Sequence, residues 1–118
     1  MTAETRAATR RLITVLRQLD DMAQANIDRS QRIKARIDEL LIRLDAGEGL
    51  AEILEAEPSP SIPAMITANI EALHDVGASL RKAEAAALRS HGYTMEQIAQ
   101  LFGVTRQRIS VLLRPDTT

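Results

Sequence analysis

Near the C-terminus, Thr94, Thr105, Arg106, Gln107, Arg108, Ser110 and Arg114 place a dense set of hydrogen-bond donors at turn and helix spacing. A guanidinium presents a planar fork of N–H groups that matches guanine O6 and N7. A glutamine amide matches adenine N6 and N7, and hydroxyls donate to phosphate oxygens. The chemistry such a set suits is recognition of duplex DNA rather than bond breaking. Arg106 and Gln107 are the expected base readers, with Ser110 a weaker one. Thr94, Thr105, Arg108 and Arg114 are expected to hold phosphates, which position a protein without choosing a sequence.

The elements that must carry these groups can be read around them. Thr94 is an N-cap hydroxyl with Gln97 three residues on, the reciprocal capping box, so a helix starts near Met95. Ile98, Leu101 and Phe102 form its apolar stripe, and Ala99 is small enough for a second helix to cross it closely. Gly103 ends that helix, Val104 fills the corner and Thr105 caps a second helix. Ile109, Leu112 and Leu113 form the buried stripe of this second helix, which Pro115 stops. Arg106, Gln107, Ser110, Val111 and Arg114 are left on its outer face. Cap, small residue, turn glycine, second cap and stop share one register, that of a helix-turn-helix.

From about Arg81 to Arg114 the chain resembles the helix-turn-helix in the fourth conserved region of bacterial sigma factors of the sigma-70 type. The matching positions are Leu88-Arg89, Gly92, Thr94, Ile98-Ala99, Phe102-Gly103-Val104-Thr105-Arg106 and Arg108-Ile109. The resemblance implies a recognition helix that reads DNA through side chains aligned with Arg106, Gln107 and Ser110. Gln107 stands where those factors often carry Glu, and Ser110 where they often carry Arg. The same module recurs in resolvase tails, response regulators and phage or plasmid repressors, so the resemblance implies DNA binding more than transcription initiation.

The 118-residue chain offers catalysis little. It has no Cys, which removes disulfides, thiolate metal sites and nucleophilic thiols. His74 and His91 lack the i, i+4 pairing of a metal site, and no Gly-rich phosphate loop, nucleophile elbow or HExxH motif occurs. No catalytic residue, metal or cofactor is expected. No stretch is apolar enough for a membrane span or signal core, so a cytoplasmic, nucleoid-associated location is expected.

A net charge of −1 hides strong segregation. Residues 1 to 36 hold eight basic and four acidic side chains, residues 38 to 75 one basic and nine acidic, and residues 81 to 114 six basic and two acidic. The last basic block coincides with the helix-turn-helix, as phosphate neutralisation requires.

One Phe, one Tyr and no Trp leave a composition of long helices with a thin monomer core. No Gly or Pro interrupts residues 3 to 45, whereas Gly47, Gly49, Pro58, Pro60 and Pro63 cluster. The expected layout is all-α: a helical dimerisation region over 1–57, a Pro-rich connection over 58–63, and the DNA-binding domain over 64–118. A short amphipathic segment from Leu50 to Glu57 carries Leu50, Ile53 and Leu54 on one side. A further helix starts near Pro63 and reaches Ser90, with Gly77 a point where it could bend.

Leu12, Leu16, Leu19, Ala23, Asn26, Ser30, Ile33, Ile37, Leu40 and Leu44 step alternately by four and three residues, a heptad seam with a polar middle. It fits a coiled-coil homodimer with Asn26 fixing register, two helices folded back near Asn26 to Ser30, or one helix packing on its own head. The expected function is a homodimeric, sequence-specific transcriptional regulator. An architectural nucleoid protein, or a module meeting RNA polymerase or a sigma factor, is the alternative.

Overall fold

The computed structural model describes residues 2–115, and among them every regular element is a helix. The order is α1 (Ala3–Asp45), α2 (Leu50–Glu55), α3 (Ile62–Ser90), α4 (Met95–Phe102) and α5 (Arg106–Leu112). No described helix is long and apolar enough to cross a membrane.

α1 is a single rod of 43 residues, not two helices broken near Asn26. Thr2 caps its start through a 3.1 Å bond from the Thr5 N–H, and Glu4 and Arg43 sit at the ends where the helix dipole favours them. α3 runs through Gly77 without interruption. Its start is held by Ser61, whose hydroxyl accepts from the Ala64 N–H, and by Glu57, whose carboxylate accepts from the Ile62 N–H at 2.7 Å.

The chain divides into two compact units. One unit combines α1 up to Asp20 with the residues from Asp75 onward, and the other spans Asp21 to His74. α1 and α3 each contribute residues to both units.

In the first unit, the start of α1 runs antiparallel to the end of α3. Thr5 donates from Oγ1 to the Ser90 carbonyl at 3.1 Å, and Thr5 and Ala8 are buried. Behind α4 and α5, Ala85 forms a core with Ile98, Ala99 and Ile109, flanked by Leu88, Met95, Phe102, Leu112 and Leu113. The small Ala85 and Ala99 let three helices approach closely enough to seal Ile98 and Ile109 from water, with Phe102 packed at the edge.

In the second unit α1 pairs with the first half of α3, again antiparallel. Asn26 donates from Nδ2 to the Asn69 carbonyl at 3.2 Å, and Arg29 donates to Asn26 Oδ1 and Asn69 Oδ1 at 3.1 and 2.7 Å. Asn26 was expected to fix register between two chains. It is satisfied within its own chain, because α3 occupies the seam.

The inward stripe also differs in phase from the heptad read in the sequence. Within the chain Leu12, Leu19, Ile33 and Leu40 are partly buried, whereas Leu16, Ile37 and Leu44 are exposed. Val15, Arg29, Arg36 and Arg43 take the neighbouring inward places. Arg36 donates to the carbonyls of Pro58 and Pro60 and pairs with Glu57 at 3.9 Å, while Arg43 grips Glu48 with two hydrogen bonds. Arginine serves in the seam because its guanidinium reaches turn carbonyls and carboxylates while its stem covers apolar surface.

α2 turns only Ile53 inward, toward Arg36, Leu40 and Arg43 of α1. Leu50 and Leu54, expected on the same buried side, are exposed, because a helix of 6 residues presents little more than one residue to a single neighbour.

Candidate functional site

The head is built as its residues dictate. Thr94 Oγ1 accepts from the Gln97 N–H at 3.1 Å while the Gln97 side-chain oxygen accepts from the Thr94 N–H at 2.9 Å, so the capping box closes in both directions. α4 ends at Gly103, whose φ of 69° and ψ of 32° place it in the left-handed region, and the Val104 N–H returns to the Ala99 carbonyl at 3.0 Å. Thr105 then caps α5, its hydroxyl accepting from the Arg108 N–H at 3.1 Å. Ile109 is fully buried and anchors α5 to α4 and α3.

With Ile109 inward, the side chains of Arg106, Gln107, Arg108, Ser110 and Arg114 are all exposed. They do not form one cluster. Arg106 lies on the α4 side of α5, in a cleft lined also by Arg89, Thr94, Met95 and Glu96. Arg108, two residues on and so on the other side of the helix, lines a different cleft with Arg81, Glu84, Phe102, Val104 and Leu112. Gln107 and Ser110 are three apart and share a face. Thr94 and Thr105 spend acceptor capacity on backbone N–H groups, which leaves each hydroxyl proton available to a phosphate oxygen.

Glu96 and Arg81, which the sequence counted only as charge, and Arg89 acquire places here. Glu96 sits 3.8 Å from Arg106 across the α4–α5 corner. Arg89 donates to the Tyr93 carbonyl at 2.9 Å, which stiffens the α3–α4 turn and holds a guanidinium beside Arg106. Arg81 lies beside Arg108. Spacing alone offers no signal for placing Glu96 against Arg106 or Arg81 in the cleft with Arg108, since each joins different helices.

Among the described residues, no group of three or more His, Cys, Asp or Glu side chains could hold a metal ion. His91 is engaged through Nδ1 with the Ala87 carbonyl at 2.8 Å, at the end of α3. No protein-family model, curated protein or solved structure matches this chain. The site is therefore read from its own geometry.

Proposed function

We propose that this protein is a sequence-specific DNA-binding transcriptional regulator, acting at the nucleoid as a homodimer, with α5 as its recognition helix. The observation that supports this most is the α4–Gly103–α5 corner, doubly capped and sealed on Ile98 and Ile109, which leaves Arg106, Gln107 and Ser110 exposed together on a rigid base. Rigid mounting matters because base discrimination depends on bidentate geometry. The similarity of residues 81 to 114 to the sigma-70 type of helix-turn-helix supports the same reading, and the basic charge of that block supplies the phosphate attraction.

In this reading Arg106 contacts guanine, Gln107 contacts adenine and Ser110 adds a weaker contact, while Thr94, Thr105, Arg108 and Arg114 hold phosphates. Selection from a random duplex library tests it. The expected outcome is an enriched inverted repeat with half-sites about one or two helical turns apart. Salt-sensitive binding with no enriched sequence would point instead to an architectural DNA-coating role. Absence of binding at low salt would point to a module that meets RNA polymerase or another protein.

A further inference from the structure

In the unit from Asp21 to His74, both long helices carry a second apolar stripe that the chain itself leaves uncovered. On α1 it runs through Ala23, Ile27, Ser30, Lys34, Ile37, Leu41 and Leu44, again alternating steps of four and three. On α3 it runs through Ile66, Ile70 and Leu73. The seven aliphatic residues larger than alanine are exposed by between 40% at Leu44 and 63% at Ile70.

The two stripes fall on one face. An antiparallel helix pair has a local two-fold axis normal to the plane of the pair, so the positions flanking the seam on one side of α1 lie on the same side as their counterparts in α3. Asn26 meeting Asn69 sets the register, and Asn69 Nδ2 donating to Ser30 Oγ at 3.2 Å ties the second stripe of α1 to that side. Lys34 is the sole charged residue in either stripe, whereas the opposite side of the pair carries Asp21, Asp28, Arg32, Glu39 and Glu71. Charge depletion on a largely apolar face is the composition of an interface centre.

We infer that this face is covered by the same face of a second copy, closing a four-helix bundle across an isologous two-fold interface. Three observations select a second copy as the occupant. The exposed aliphatics amount to ~600 Å² of apolar surface, as large as the biggest patch on an ordinary monomer and close to the ~800 Å² per partner of a stable interface. The face is self-complementary: Ala23 and Ser30 make low ground along α1, and Ile66, Ile70 and Leu73 make a ridge along α3. A second copy turned about a two-fold axis parallel to the helices lays its α3 ridge on that low ground and receives the reciprocal contact, with every neighbour antiparallel. Finally, α1 and α3 are already paired, so the dock presents two parallel-sided rods, the shape a matching hairpin fills.

This interface specifies the pairing assumed for the DNA-binding reading but is tested without DNA. Sedimentation of the full chain at micromolar concentration is expected to give twice the 13.0 kDa of one chain. Ile70→Asp and, separately, Ile27→Asp are expected to shift the mass to 13.0 kDa with helical circular dichroism retained, since both positions are exposed in the single chain. Asp21→Lys, on the opposite side, is expected to leave the dimer intact. A single-chain mass for the unaltered protein, an assembly larger than two copies, or a dimer that survives both Asp substitutions would overturn the inference. None of these outcomes bears on whether α5 selects a sequence, which the library experiment reads separately.

Discussion

Arg106 Nη1 lies 3.8 Å from Glu96 Oε1, joining the first residue of α5 to the first turn of α4. Both side chains are well exposed, 66% and 76%, so the pair contributes little to stability. Its consequence is for binding: the carboxylate offsets positive charge where a base edge and nearby phosphates are proposed to sit. Glu96→Gln is expected to tighten DNA binding severalfold at low ionic strength, with the gain shrinking as salt rises. A fluorescence-anisotropy titration at two salt concentrations checks this, and equal affinities at low salt would remove Glu96 from the account.

Arg106→Ala and Arg114→Ala are expected to separate reading from positioning. The first should cost about 1 to 3 kcal/mol on the selected site and relax one base position. The second should weaken all sequences alike and reduce the salt slope by about one. Affinities measured on the selected duplex and on single-base variants distinguish the two patterns.

Gly103→Ala should lower stability by about 1 to 2 kcal/mol, the cost of holding a Cβ-bearing residue in the left-handed region. No atom lies within 4 Å of the added Cβ, so the loss comes from the backbone rather than a clash. Gly103→Asn should recover part of it, since Asn tolerates that conformation. Thermal denaturation of the two variants checks the order.

Ile109→Ala removes the fully buried side chain that holds α5 to α4 and α3, and should cost about 2 to 5 kcal/mol. On the proposed function, DNA affinity should fall with it although Ile109 is itself buried, because the exposed face of α5 loses its base. Chemical denaturation alongside binding tests whether the two losses occur together.

Asn26→Ala should destabilise the protein by about 1 to 3 kcal/mol, because it leaves the part-buried Asn69 carbonyl and the Arg29 guanidinium each short of a partner. Its mass in solution should not change. A shift in oligomeric state without a loss of stability would show that Asn26 acts between chains after all.

The helix-turn-helix was legible residue by residue because its signals are local. The Thr94–Gln97 box, the Gly103 turn and the Thr105 cap each act within a few residues, and the apolar spacing of Ile98, Phe102 and Ile109 is that of a helix buried on one side. The absence of Gly and Pro before Asp45 allows the unbroken helix of α1, but the polar middle of the seam equally allowed a break near Asn26.

The partner of that rod was not legible. Leu16, Ile37 and Leu44 are as apolar as Leu12, Ile33 and Leu40, and a heptad pattern does not state whether its complement lies on another chain or further along the same one. Residues 29, 36 and 43 escaped notice because an inward arginine reads as surface until the Asn69 amide, the Pro58 carbonyl or the Glu48 carboxylate that receives it is in place. Local capping and periodicity by themselves determined the helices, the turn and the exposed donors on α5. The tertiary structure alone decided which stripe of α1 is spent on α3 and which stays uncovered, and that Glu96 faces Arg106, because these depend on contacts between residues far apart in the chain.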